Sequence, residues 1–165
     1  MHYLDFEENI KEIDKKLAKD GINDAEKKRL NNKLNRLIER TYQRLTPWQK
    51  TQVARHEDRP HTLDYIRELM PDFFELCGDR AFGEDNSIVA GLAHFHGQTV
   101  MVIGHEKGYN TETRLKHNFG MAKPEGYRKA IRLMKLAEQF GFPVLCFVDT
   151  AGAFPGVDAE ARGQG

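Results

Sequence analysis

The feature that most constrains this chain lies towards its C-terminal end. Residues Pro124 to Phe140 carry Ile131, Met134 and Ala137 at helical spacing with Leu133 and Leu136 beside them, Gly141 follows as a stop, and Val144 to Val148 is an unbroken apolar run. A helix feeding a short, wholly apolar strand implies α/β layering, because a strand covered by helices on both faces has no polar side to show. The strand is expected to be buried. It runs into Asp149-Thr150-Ala151-Gly152-Ala153-Phe154-Pro155-Gly156 and then a helix predicted from Asp158. In α/β proteins such a loop at the carboxyl end of a strand is where ligands sit, since backbone N–H groups point outward there. An ordinary strand-to-helix turn has the same composition, so the loop alone names no ligand.

Upstream, Ile88 to Phe95 and Thr99 to Gly104 read as two strands joined by a turn at His96-Gly97. Thr46-Pro47 has the form of an N-cap followed by proline at the first helical position, opening a short helix through Trp48 and Val53; Thr62 opens another through Tyr65, Ile66 and Leu69. Before residue 47 the periodicity is helical throughout. One stripe is Phe6, Ile10, Ile13 and Leu17; Gly21 is the expected stop, Asn23 and Glu26 have capping-box spacing, and a second stripe is Leu30, Leu34, Leu37, Ile38 and Leu45. The organisation expected is a helical hairpin over residues 1–46 and an α/β domain over 47–165, with the composition shift near residues 46–60. Each stripe is too narrow to hold a helix alone, so the hairpin is expected to serve assembly.

With 165 residues the chain has room for one domain and an appendage. Lys and Arg (25) balance Asp and Glu (25), so there is no long-range field to gather polyanions, and nucleic acid is not an expected partner. No apolar run approaches the roughly 18 residues of a membrane span, and the N-terminus has neither a basic nor an apolar leader region. The expectation is a soluble cytoplasmic protein without a membrane partner. Cys77 and Cys146 have no CxxC neighbours, which leaves no disulfide framework and no zinc ribbon. His94 and His96 share a strand face and His56 and His61 flank Arg59-Pro60, but no carboxylate or cysteine completes a ligand set, so no metal is expected. Ser87, the only serine, is not in a GxSxG elbow. Asp149-Thr150-Ala151-Gly152 also matches the metal-binding strand end of a GTPase switch, yet no GxxxxGK[ST] loop exists to cradle phosphates. Arg114, Lys116, His117, Lys123, Arg128, Lys129, Arg132 and Lys135 form a basic stretch, read as a solvated helix face with a phosphorylated ligand or acidic surface as the alternative.

A set of short segments nonetheless stands in one known order: Ala54-Arg55-His56, Arg59-Pro60-His61-Thr62-Leu63-Asp64-Tyr65, Glu75-Leu76-Cys77-Gly78-Asp79-Arg80, Ile103-Gly104-His105-Glu106-Lys107-Gly108, Asn118-Phe119-Gly120-Met121, Pro124-Glu125-Gly126-Tyr127-Arg128-Lys129-Ala130, and the Asp149 to Gly156 loop. From about Phe6 to its last residue the chain resembles the α subunits of bacterial acetyl-CoA carboxylase carboxyltransferase. The resemblance implies an incomplete crotonase-like α/β fold preceded by the helical hairpin. It also implies transfer of a carboxyl group from carboxybiotin, held on the biotin carboxyl carrier protein, to acetyl-CoA, giving malonyl-CoA for fatty-acid synthesis. The implied partners are a zinc-ribbon β subunit in an α2β2 tetramer, the carrier protein and biotin carboxylase, within an ATP-binding complex. Biotin, carried by the partner, is the one cofactor implied.

Such chemistry needs no side-chain nucleophile, because its negative charge resides on oxygens that positioned N–H donors stabilise, typically by about 2.7–4 kcal/mol per donor. The family's Gly-Gly donors for biotin are expected beyond Gly165, so catalytic residues are not assigned within the chain, which is expected to be a fragment inactive alone. The substrate-binding candidates are Gly152, Ala153 and Gly156 in the loop, with Gly104, His105 and Lys107 at the preceding strand end.

Overall fold

The computed structural model describes residues 2–19 and 21–164. The chain divides into two compact units, residues 1–59 and 60–165. In the first, a 3-10 turn at Asp5–Glu7 leads into α1 (Glu8–Leu17), followed by α2 (Asp24–Tyr42) and α3 (Pro47–Ala54). Ile10 and Ile13 of α1 are buried, and Leu30, Leu34 and Leu37 of α2 are half-buried. The hairpin's two stripes therefore meet. Asn23 Oδ1 accepts the Glu26 N–H at 2.8 Å, as its spacing predicts. A full capping box opens α3, where Thr46 Oγ1 accepts from Gln49 N at 3.2 Å and Gln49 Oε1 accepts from Thr46 N at 2.9 Å. Two expectations need correction: α1 ends at Leu17, before Gly21, whose φ of +88° serves the turn into α2, and Leu45 lies beyond the end of α2. The end of α2 is tied back to the N-terminus through Glu7, whose Oε2 accepts from Leu4 N at 2.7 Å while Oε1 accepts from the Tyr42 hydroxyl.

The second unit runs α4 (Thr62–Leu69), β1 (Phe74–Glu75), β2 (Ile88–Phe95), β3 (Gln98–His105), α5 (Thr111–Lys116), a 3-10 turn at Asn118–Gly120, α6 (Pro124–Phe140), β4 (Val144–Phe147) and α7 (Val157–Ala161). The sheet order is β1-β2-β3-β4, with β1/β2 and β2/β3 antiparallel and β3/β4 parallel. His96 (φ +50°) and Gly97 (φ +77°) make a two-residue turn that sets Phe95 opposite Gln98.

Strands β2 and β3 are buried on both faces. Ile88, Ala90, Met101 and Ile103 pack with Leu133 and Ala137 of α6, while Val89, Ala93, Val100 and Val102 pack with Ile66 of α4 and with Met70. One helix on each side of a central pair of strands explains why these strands read as unbroken apolar runs. The expectation that Val144–Val148 is likewise buried is corrected: the strand stops at Phe147, Val144 and Cys146 are exposed, and only Leu145 and Phe147 reach a core cluster. Among the described residues β4 pairs with β3 alone, and one of its faces is uncovered. No helix among the described residues is long and apolar enough to cross a membrane.

Candidate functional site

The carboxyl ends of the parallel strands β3 and β4 lie side by side, with Gly104 opposite Phe147, and each strand continues directly into a loop. After β3 come Glu106, Lys107 and Gly108; after β4 comes the segment from Val148 to Gly156. A third segment, Asn118 to Lys123, joins them before α6. Lys107 Nζ lies 2.9 Å from Asp149 Oδ2, Thr150 Oγ1 donates to Gly120 O at 2.7 Å, and Phe154 N donates to Ala122 O at 3.1 Å beside a parallel bridge between Ala122 and Ala153. The three segments thus form one loop cluster at the place where α/β folds bind ligands.

Two buried carboxylates hold this cluster. Glu106, 1% exposed, accepts N–H bonds from Leu63 (3.1 Å), Lys107 (3.0 Å) and Gly108 (2.8 Å), which fixes the loop after β3 to the start of α4. Its other neighbour is buried His61, with Nδ1 3.2 Å away but not aligned for a hydrogen bond, and the Tyr109 ring stacks on that imidazole at 4.0 Å. Asp85, 2% exposed, accepts from Ser87 N, Ser87 Oγ, Asn118 Nδ2 and Lys123 N at 2.7–3.0 Å, fixing the third segment. A buried carboxylate without such donors would be strongly unfavourable, so these networks order the loops as well as satisfy the charge. Sequence reasoning did not single out Asp85, and it named Glu106 and Thr150 only as members of longer segments; the available signal is acidic residues flanking the apolar run from Ile88 to His105.

The six proposed site residues fall into four groups. Gly152 and Ala153 are exposed in the loop; Gly152 has φ +148°, and a Cβ built on it would meet nothing within 4 Å. Open space beside the backbone of small residues is what a ligand needs. Gly156 starts α7 with the Phe154 ring against it, 2.8 Å from where a Cβ would lie. Lys107 pairs with Asp149, and His105 is half-buried at the end of β3. Burial pushes the His105 imidazole below its ordinary pKa, opposed by a hydrogen bond to the Phe147 backbone and by the Asp149 and Asp85 carboxylates. Gly104 is set apart by packing: a Cβ there would lie 2.4 Å from Thr62 Cγ2, so its missing side chain lets α4 close on β3.

The basic stretch is a solvated face only in part: Arg114, Lys116 and Lys135 are exposed, while three of the others are taken up by the protein. Arg128 pairs with Asp79 at 2.7 Å, Arg132 donates to the carbonyls of Leu76, Cys77 and Gly78, and fully buried Lys129 pairs with Glu84. Burial opposes ionisation of Asp79, yet N–H bonds from Ala81, Phe82 and Gly83 with the Arg128 guanidinium hold its carboxyl well below the usual range. His94 pairs with Asp72 at 2.5 Å, and His96 lies in the turn, off the strand. Among the described residues no three His, Cys, Asp or Glu side chains gather as a metal-holding group.

The family model described as acetyl co-enzyme A carboxylase carboxyltransferase-like matches residues 2–165. The chain belongs to this family. Among its curated relatives, the acetyl-coenzyme A carboxylase carboxyl transferase subunit alpha of Paramagnetospirillum magneticum is 59% identical over 172 residues, an alignment covering 99% of this chain and 54% of that one. The subunit of the same name from Zymomonas mobilis is 58% identical, covering 98% and 54%. The chain therefore spans about half the length of the curated relatives it matches. Among solved structures, the beta subunit of P. aeruginosa geranyl-CoA carboxylase superposes with a TM-score of 0.47 at 19% identity, over 63% of this chain and 19% of that one. The segments 103–108, 118–121 and 149–156 contribute Glu106, Lys107, Asn118, Gly120, Asp149 and Thr150, and all six lie in the loop cluster.

Proposed function

We propose that this chain is part of a carboxyltransferase α subunit of acetyl-CoA carboxylase, with a crotonase-like domain, and that the loop cluster at the ends of β3 and β4 forms part of its carboxyl-transfer site. The observation that carries the reading is that three of the ordered segments, 103–108, 118–121 and 149–156, meet in that single cluster. A carboxylated biotin, presented by its carrier protein, supplies the carboxyl group when bound. The Ala151–Ala153 stretch fits such a group, since these residues are small and exposed and Gly152 has open space beside it.

This chain's own part is to bind and to order. Gly152 and Ala153 offer backbone to the ligand at close range, and Gly156 lets the Phe154 ring fold against the loop. Lys107 and Asp149 lock the two strand ends together. Glu106 and Asp85 stop the flanking segments from moving, which keeps the pocket wall in one geometry. Burial lowers the pKa of the His105 imidazole and so disfavours a positive charge there. A zinc-ribbon β subunit completes the site in an α2β2 assembly that works in the cytoplasm with the carrier protein and biotin carboxylase.

The test uses the full-length α chain with its β subunit, given malonyl-CoA and free biotin. Acetyl-CoA release that depends on biotin supports the reading. Its absence in a folded, assembled complex overturns it.

A further inference from the structure

The inference rests on the carboxyl-transfer reading of the loop cluster and concerns a residue which that reading does not use. Asn118, Phe119 and Gly120 have φ values of 48°, 55° and 75°, three successive residues in the left-handed region. Glycine adopts that region freely, but two consecutive residues bearing side chains do so only when their surroundings impose it. Here the surroundings are explicit. Asn118 Nδ2 donates to buried Asp85 at 2.9 Å, Gly120 N donates to His117 O at 2.8 Å, and Gly120 O accepts the Thr150 hydroxyl. Gly120 is also wedged at the junction of the other two loops, since a Cβ there would lie 3.1 Å from Lys107 Cβ and 3.3 Å from Asp149 O.

These anchors fix the residues on either side of Phe119, while Phe119 itself is 47% exposed. Its ring is not what holds the turn. Strain that is over-determined by buried groups, yet leaves an aromatic ring open to solvent at a loop cluster, marks a ring kept for a contact with something else. The turn is bonded through Thr150 to the same loop that carries Gly152, so a ligand on that loop is the neighbouring one.

We propose that Phe119 is a ligand-contact residue whose ring packs on the apolar face of the fused bicyclic head of biotin. Asn118 is its positioning residue, acting through Asp85.

The test uses the full-length α chain assembled with its β subunit and free biotin as the probe. Phe119→Asn removes the ring but keeps a side chain that tolerates left-handed backbone, and Phe119→Tyr keeps the aromatic face. Biotin Kd by calorimetry should rise about tenfold in Phe119→Asn and stay within about twofold in Phe119→Tyr. In reverse carboxyl transfer, the KM for biotin should rise likewise while that for malonyl-CoA is unchanged. Asn118→Gly, which frees the turn without straining it, should raise the biotin Kd by a smaller factor. Unaltered biotin Kd in Phe119→Asn, in a complex that does transfer carboxyl groups, overturns this inference alone. An effect confined to malonyl-CoA overturns the assignment of the ring to biotin. No transfer by the wild-type complex overturns the underlying reading, and this inference with it.

Discussion

Lys107 Nζ donates to Asp149 Oδ1 at 3.1 Å and lies 2.9 Å from Oδ2, and so joins the segment after β3 to the segment after β4. Both side chains are about three-quarters buried, which protects the pair from solvent screening better than a surface pair. A double-mutant cycle of Lys107→Met and Asp149→Asn, read by denaturant unfolding of the full-length chain, should give a coupling energy of about 1 kcal/mol. Additive effects would show that the two strand ends are held by something else.

Gly104 and Thr62 make a second contact that substitution can probe. Gly104→Ala places a methyl group where Thr62 Cγ2 already lies, and overpacking of this kind costs about 1–3 kcal/mol. Thr62→Ser removes that methyl yet keeps the hydroxyl that donates to His105 O, so the double variant should recover part of the loss. The check is the unfolding free energy of the two single variants and the double. Equal stability of Gly104→Ala and the double variant would refute close packing as the role of Gly104.

What the sequence made legible was what local physics decides. The cap at Thr46, the hairpin turn at His96-Gly97 and the Gly141 stop after α6 each follow from residue types within a few positions of one another. The exposure of Val144 was not legible, because a strand's apolar content does not say how many of its faces are covered. Nor was the fate of the basic stretch: the carboxylates and carbonyls that take up Arg128, Lys129 and Arg132 come from residues 76–85, far away in sequence. The candidate loop was visible from its glycines. The buried carboxylates that order it, Asp85 and Glu106, were not, since their role depends on which N–H groups the fold brings to them.

Tyr42 gives a prediction in the first unit that is independent of any activity. Burial and the hydrogen bond to Glu7 push its hydroxyl up to about 12, against an ordinary tyrosine value near 10. Because the folded-state value is the higher one, the resulting stability is fully present below about pH 10 and is lost as pH rises through about 12. Tyrosinate absorbance should show a late-titrating component that Tyr42→Phe removes, and the variant should lose less stability than wild type across that interval. A titration in which Tyr42→Phe deletes an ordinary component near pH 10 would contradict the hydrogen bond to Glu7 as the cause of the shift.

The central claim is that the loop after β4 forms part of the carboxyl-transfer site, and Gly152→Val in the full-length α chain with its β subunit tests it most directly. A Cβ at Gly152 meets nothing within 4 Å among the described residues, so the main structural cost of a side chain there is a φ of +148°. That strain amounts to roughly 1–3 kcal/mol. The measurement is biotin-dependent release of acetyl-CoA from malonyl-CoA, taken alongside the melting temperature of the same complex. The account predicts turnover lowered about a hundredfold or more in a complex that remains folded and assembled at the assay temperature. Turnover close to wild type in that complex would contradict it.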